Sequence, residues 1–82
     1  MAEVRFMGEL SEIVGSRNIS VDVSSIDEIF RYLRSRYEKR VMKLAKSMII
    51  TVNNTDIRLL NGNATSLSDD DIVNFYPPAA GG

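Results

Sequence analysis

Residues 3–7 alternate charged and apolar side chains, which predicts a strand with Val4 and Phe6 on one face, ended by Gly8. A link carrying Leu10, Ile13 and Val14 and closed by Gly15 leads into residues 18–23, the cleanest period-two pattern of the chain, with Ile19, Val21 and Val23 turned inward. Ser25 followed by Glu28 has the form of a capping box, and beyond it Ile26, Ile29, Phe30, Leu33 and Tyr37 recur at helical spacing. Val41, Leu44 and Met48 continue that spacing, so the helix either runs on or restarts after about residue 38. Residues 48–53 are apolar and β-branched, Asn53-Asn54-Thr55-Asp56 supplies turn chemistry, and residues 57–60 are expected to form a short return strand. After a loop at Asn61-Gly62-Asn63 and a buried anchor at Leu67, Asp71 precedes a last strand over residues 72–76. Pro77-Pro78 then ends sheet pairing, since neither proline has an N–H to donate.

A hairpin, a crossover helix and strands that return to the same sheet describe an α+β two-layer fold, the β-grasp or ubiquitin-like architecture. One main helix is expected on one face of a mixed sheet of four to five strands, with residues 1–76 as the domain and residues 77–82 as a flexible tail ending in Gly-Gly. Val73 and Phe75 belong to the core. Ile72, Asn74 and Tyr76 share the opposite face of the last strand and are expected to offer a docking patch for a partner beside the tail.

Composition narrows the chemistry. The 82 residues contain no cysteine and no histidine. That excludes a disulfide framework, a thiolate zinc site, a catalytic thiol and the usual near-neutral proton shuttle. A self-contained enzyme with catalytic residues of its own is therefore not expected, nor is a metal site, and a reducing cytoplasmic location is. No apolar run approaches the roughly 20 residues that span a bilayer, and the first five residues lack the order of a signal peptide.

The net charge of −1 speaks for neither nucleic acid nor membrane as a partner, yet the charge is unevenly placed. Arg31, Arg34, Arg36, Lys39, Arg40, Lys43 and Lys46 hold seven of the ten cations. Such a stretch can serve RNA or an acidic partner, although a solvated helix face is the commoner meaning, and Arg34 and Glu38 stand at the spacing of an intrahelical pair. The triplet Asp69-Asp70-Asp71 fits turn polarity better than a cation site, because three adjacent carboxylates do not converge.

In Pro77-Pro78-Ala79-Ala80-Gly81-Gly82, two prolines favour an extended course and the next four side chains are no larger than a methyl. Six extended residues reach about 20 Å, enough to carry a terminal carboxylate into a partner's active site. Gly81 and Gly82 leave no branched carbon beside it. A bare Gly-Gly end is also what an ordinary frayed terminus looks like.

Residues 67–82, LSDDDIVNFYPPAAGG, strongly resemble the C-terminal signature of the MoaD family, the small subunit of molybdopterin synthase. That signature runs from a leucine through an acidic turn and an apolar strand to an aromatic-Pro-Pro segment and terminal Gly-Gly. More loosely the resemblance covers the whole chain and extends to the thiamine sulfur carrier ThiS, the eukaryotic ubiquitin-related modifier and the small archaeal modifier proteins. Asp70 stands where many members have glycine.

The resemblance implies that an E1-like enzyme uses ATP to adenylate the Gly82 carboxylate and that sulfur transfer converts the adenylate to a thiocarboxylate. A larger synthase subunit, in a heterotetramer, would then take up the tail and use the sulfur to build molybdopterin. It equally allows conjugation of Gly82 to lysines of target proteins or sulfur donation for tRNA thiolation. On either account no cofactor is held stably by this chain. A β-grasp interaction module with an incidental tail is the remaining reading.

Overall fold

The computed structural model describes residues 1–78. Ala79, Ala80, Gly81 and Gly82, four of the residues on which tail insertion and attachment rest, lie outside the described residues. Five strands, β1 (Ala2–Phe6), β2 (Asn18–Val21), β3 (Ile49–Val52), β4 (Thr55–Asp56) and β5 (Ile72–Tyr76), form one sheet in the order β2-β1-β5-β3-β4. The sheet is mixed: β5 runs parallel to β1, and every other pairing is antiparallel. No helix among the described residues is long and apolar enough to cross a membrane.

Alternation along the strands divides the sheet into a covered and an open face. Val4, Phe6, Val21, Ile50, Val52, Val73 and Phe75 point to the covered face and are buried. The register sets Val4 beside Val73 and Val73 beside Val52, and Phe75 between Phe6 and Ile50. Three helices cover this face: α1 (Glu9–Val14), α2 (Ile26–Arg36) and α3 (Lys39–Lys46).

α2 starts as its sequence predicts. Ser25 is extended and its Oγ accepts the Glu28 N–H at 3.3 Å, while Ile26, Ile29, Phe30 and Leu33 are buried against the sheet. Among the described residues no hydrogen bond returns from the Glu28 side chain, so half of the capping box is made. The helix does not run on. Tyr37 and Glu38 turn extended, with ψ of 164° and 166°, and α3 restarts at Lys39. An unbroken helix from 26 to 46 would be about 30 Å long. That equals the longest dimension of the molecule, 29 Å, so only a break lets the second half pack back on the core through Val41, Met42 and Ala45. The break also separates Arg34 from Glu38, and among the described residues no ion pair joins them.

Two expectations are corrected. The link through Leu10, Ile13 and Val14 is the helix α1, held between Gly8 and Gly15 with Leu10 fully buried. The return strand is Thr55–Asp56, not residues 57–60: Asn53 and Asn54 both take positive φ, 48° and 72°, and close the hairpin in two residues. Ile57–Leu59 is instead a 3₁₀ turn that drops Ile57 into the core.

Asn53 also ties this turn to the start of β5. Its backbone N–H donates to Ile72 O at 2.8 Å, its Oδ1 accepts the Ile72 N–H at 2.9 Å, and its Nδ2 donates to Asp71 Oδ1 at 2.9 Å. Asp71 Oδ2 accepts the Ser68 N–H at 2.8 Å. The Ser68 N–H first and the Asn53 amide second hold the Asp71 carboxyl below its ordinary 3.8, and Arg58 does the same for Asp56.

Because the native carboxyls are the stronger acids, the unfolded chain takes up protons first as pH falls. The stability they supply is complete above about pH 5 and is lost as pH drops through the native values. Thermal midpoints are expected to fall as pH drops below about 5 and on through the lowered native values, and Asp71→Asn to flatten part of that fall. An unchanged slope in the variant would mean that Asp71 does not contribute.

Candidate functional site

β5 lies at the centre of the sheet, hydrogen-bonded to β1 on one side and β3 on the other, and delivers the chain into Pro77 and Pro78 beyond its C-terminal end. Both prolines are exposed. Pro77 leans on the turn that follows β1: a Cβ built on Gly8 would sit 3.7 Å from Pro77 Cγ. Gly8 has φ 67° and ψ −143°, a combination open in practice to glycine alone. The contact distance is ordinary, so a side chain here would strain the backbone rather than collide. Gly8→Ala is expected to cost about 1–3 kcal/mol in urea unfolding; unchanged stability would show that the turn relaxes freely.

Pro78 borders a groove of about 580 Å³ that also meets Lys46, Ile50, Ile57, Arg58 and Asn63. Leu59 and Leu60, in the turn beyond Arg58, are exposed. The last described residue before Ala79 therefore borders a groove that holds Lys46 and the Arg58–Asp56 ion pair.

The open face carries the expected docking residues. Tyr76 pairs with Ile49, Ile72 with Glu3, and Asn74 with Arg5 on one side and Thr51 on the other. Tyr76 and Ile49, paired at the end of β5 that leads into Pro77, are half-buried, and so is Ile72 at the strand's other end, beyond Asn74. Asn74 departs from the expectation. It is only 4% exposed, because a residue at the middle of the central strand is walled by both neighbours, and it does not form part of an exposed patch. Its partner Thr51 is 9% exposed, and Thr51 Oγ1 is buried without a hydrogen-bond partner among the described residues. Ile49 and Thr51 were not singled out from the sequence; only the β3–β5 register brings them next to Tyr76 and Asn74.

A model of the ThiS family matches residues 4–82, nearly the whole chain and the diglycine included. The chain belongs to the ThiS family. It is a member of a family of small ubiquitin-like carriers and modifiers, and the fold just described is theirs. Over 89 aligned positions it is 29% identical to small archaeal modifier protein 3 of Haloferax volcanii, covering 98% of this chain and 97% of the relative. The solution structure of small archaeal modifier protein 1 from Methanosarcina acetivorans matches with a TM-score of 0.84 at 22% identity, over 99% of this chain and 95% of that one. A chain of the complex between subunits 1 and 2 of molybdopterin-converting factor from Helicobacter pylori matches with a TM-score of 0.71, also at 22% identity, over 99% and 97%. At these identities the two structures establish a common fold.

As a ThiS-family chain, this one departs at the turn before β5, where its resemblance to MoaD sequences leads to an expected glycine. Asp70 occupies that place with φ 70°, the left-handed conformation that glycine enters freely and aspartate tolerates. Its N–H donates to Met1 O at 3.1 Å, which ties the turn to the start of β1. Beyond this turn β5 enters the sheet beside β1 and β3.

Proposed function

We propose that this ThiS-family chain is a sulfur carrier whose Gly82 carboxylate becomes a thiocarboxylate for molybdopterin synthesis, as the small subunit of molybdopterin synthase. The observation that carries the reading is the family match running through Gly82, downstream of a central strand whose end leads into exposed Pro77 and Pro78.

In this scheme the carboxylate attacks the α-phosphorus of ATP on an E1-like enzyme, and pyrophosphate leaves. A sulfur nucleophile then displaces AMP and leaves sulfur on Gly82. The larger synthase subunit receives the tail, and the apolar open face around Tyr76 and Ile49 docks beside it. The domain supplies a handle and a docking surface, and the catalytic groups lie on its partners. A chain without cysteine or histidine suits that division.

A second reading is favoured by the name of the Haloferax volcanii relative, a modifier protein aligned over 97% of its length. Here the activated Gly82 is joined to lysine amines of other proteins, and both fates begin with the same adenylate. Intact mass spectrometry of the chain purified from its own cells separates them. A species heavier by sulfur in place of oxygen is expected for the carrier; for the modifier, tryptic digests of the proteins of the same cells should contain lysines joined to residues 59–82, since no Lys or Arg follows Arg58. Finding neither would reject both.

A further inference from the structure

The break at Tyr37–Glu38 does more than fit α3 to the core. It folds the basic stretch into a groove of about 570 Å³ lined by Arg34, Tyr37, Lys39, Met42, Lys43 and Lys46. Lys39, Lys43 and Lys46 lie along one side of α3 at helical spacing, Arg34 faces them from the last turn of α2, and all four are exposed. None of the groove's cations has a carboxylate within ion-pair distance among the described residues. Arg40 and Lys43 border a neighbouring groove that contains Glu9, whereas no acidic residue lines this one.

The floor is different in kind. Met42 is buried and Tyr37 half-buried, so an apolar strip runs beneath a rim of four cations.

The imbalance extends over the molecule. Between positions 31 and 46 seven cations face one carboxylate, Glu38, a net +6; the other residues hold three cations and ten carboxylates, a net −7, and the two sum to the chain's −1. An isolated solvated helix face would gain nothing from a concentration of like charge, which repels itself and weakens the fold. A complementary partner converts that repulsion into attraction and faster encounter.

We propose that this groove is a second docking site, separate from the tail, for an acidic protein segment that carries an apolar anchor side chain. The rim suits carboxylates, and the Met42 and Tyr37 floor takes the anchor, methionine being adaptable to varied side chains. A nucleic acid fits less well. Stacked bases need open aromatic faces, but the Tyr32 ring is covered by the Arg36 guanidinium at 4.7 Å and Tyr37 is partly inside the groove wall. Phosphates alone would leave the apolar floor unused.

The test is fluorescence anisotropy with the full chain and a fluorescein-labelled peptide of about 14 residues, rich in Glu and Asp, with two leucines one helical turn apart. Binding is expected at low ionic strength and to weaken with added salt. It should drop about tenfold or more in the double variant Lys39→Glu/Lys43→Glu and survive Lys43→Arg, with circular dichroism confirming that both variants fold. A peptide with serine in place of leucine should bind about fivefold more weakly. The inference is overturned by absence of binding, by equal affinity for the leucine-free peptide, by tighter binding of a uridine oligomer or an RNA duplex, or by indifference to the charge reversals. None of these readouts involves Gly82, so their failure leaves the carrier reading standing.

Discussion

Removing Gly82 is expected to abolish ATP-dependent activation and sulfur transfer while moving the thermal midpoint by less than about 4 °C. The two halves of that result have separate causes. The core is complete by Tyr76: the last strand, the Phe75 cluster and the clasp at Asn53 all lie upstream of the tail. Gly82 has no side chain to bury, so its loss changes no apolar area of the core. Activation, in the proposed scheme, takes place on the carboxylate of this one residue, and a chain ending at Gly81 presents its carboxylate one residue short, about 3.5 Å out of reach. Displacements of that size cost orders of magnitude in rate. Gly81→Val adds a check, since a branched side chain beside the reacting carbon should crowd the approach and depress adenylation with the length unchanged. Incubation with the activating enzyme, labelled ATP and a sulfur source, read by intact mass, measures both variants. Full thiocarboxylate formation by the shortened chain would overturn the assignment of the reacting carboxylate to Gly82, on which both readings rest.

How far the sequence led depends on whether a feature was local or came from register. α2 was legible because its signals are local: an extended Ser25 cap and an apolar stripe at helical spacing. So was the strand pattern of β1, β2 and β5, and with it the α+β architecture. α1 was missed although Leu10, Ile13 and Val14 have helical spacing, because six residues between two glycines form too short a stripe to distinguish from a link. The return strand was displaced because Ile57 is apolar for the sake of the core, not of a sheet, and the two asparagines had already closed the hairpin.

At the site, alternation correctly grouped Ile72, Asn74 and Tyr76 on one face but said nothing of neighbours. Only the pairing of β5 with both β1 and β3 shows that Asn74 is enclosed and that Ile49 joins Tyr76. The groove beneath the basic rim depended on where the helix breaks, and the spacing of Tyr37, Val41, Leu44 and Met48 left that open. The break also altered the stripe: α3 buries Val41, Met42 and Ala45 and leaves Leu44 half-buried.

Phe75→Ala is expected to leave the chain largely unfolded at room temperature. Phe75 is completely buried on the covered face of the central strand. Its ring lies 5.6 Å from that of Phe6 on β1 and 6.0 Å, edge-on, from that of Phe30 on α2, so it joins the sheet to the main helix. Truncating such a side chain typically costs about 3–5 kcal/mol, from lost burial and from the cavity left behind. A domain of this size rarely holds more than about 3–5 kcal/mol in total, so the single change consumes the margin. Phe75→Leu, which keeps most of the volume, should cost less than about 1.5 kcal/mol and stay folded. Urea titrations followed by circular dichroism give both values; a loss below about 1.5 kcal/mol for the alanine variant would show that the neighbouring helices collapse into the space. The pair also separates two ways of losing function two residues upstream of Pro77: Phe75→Ala is expected to fail in activation because the strand that launches the tail is gone, and Phe75→Leu to be activated normally.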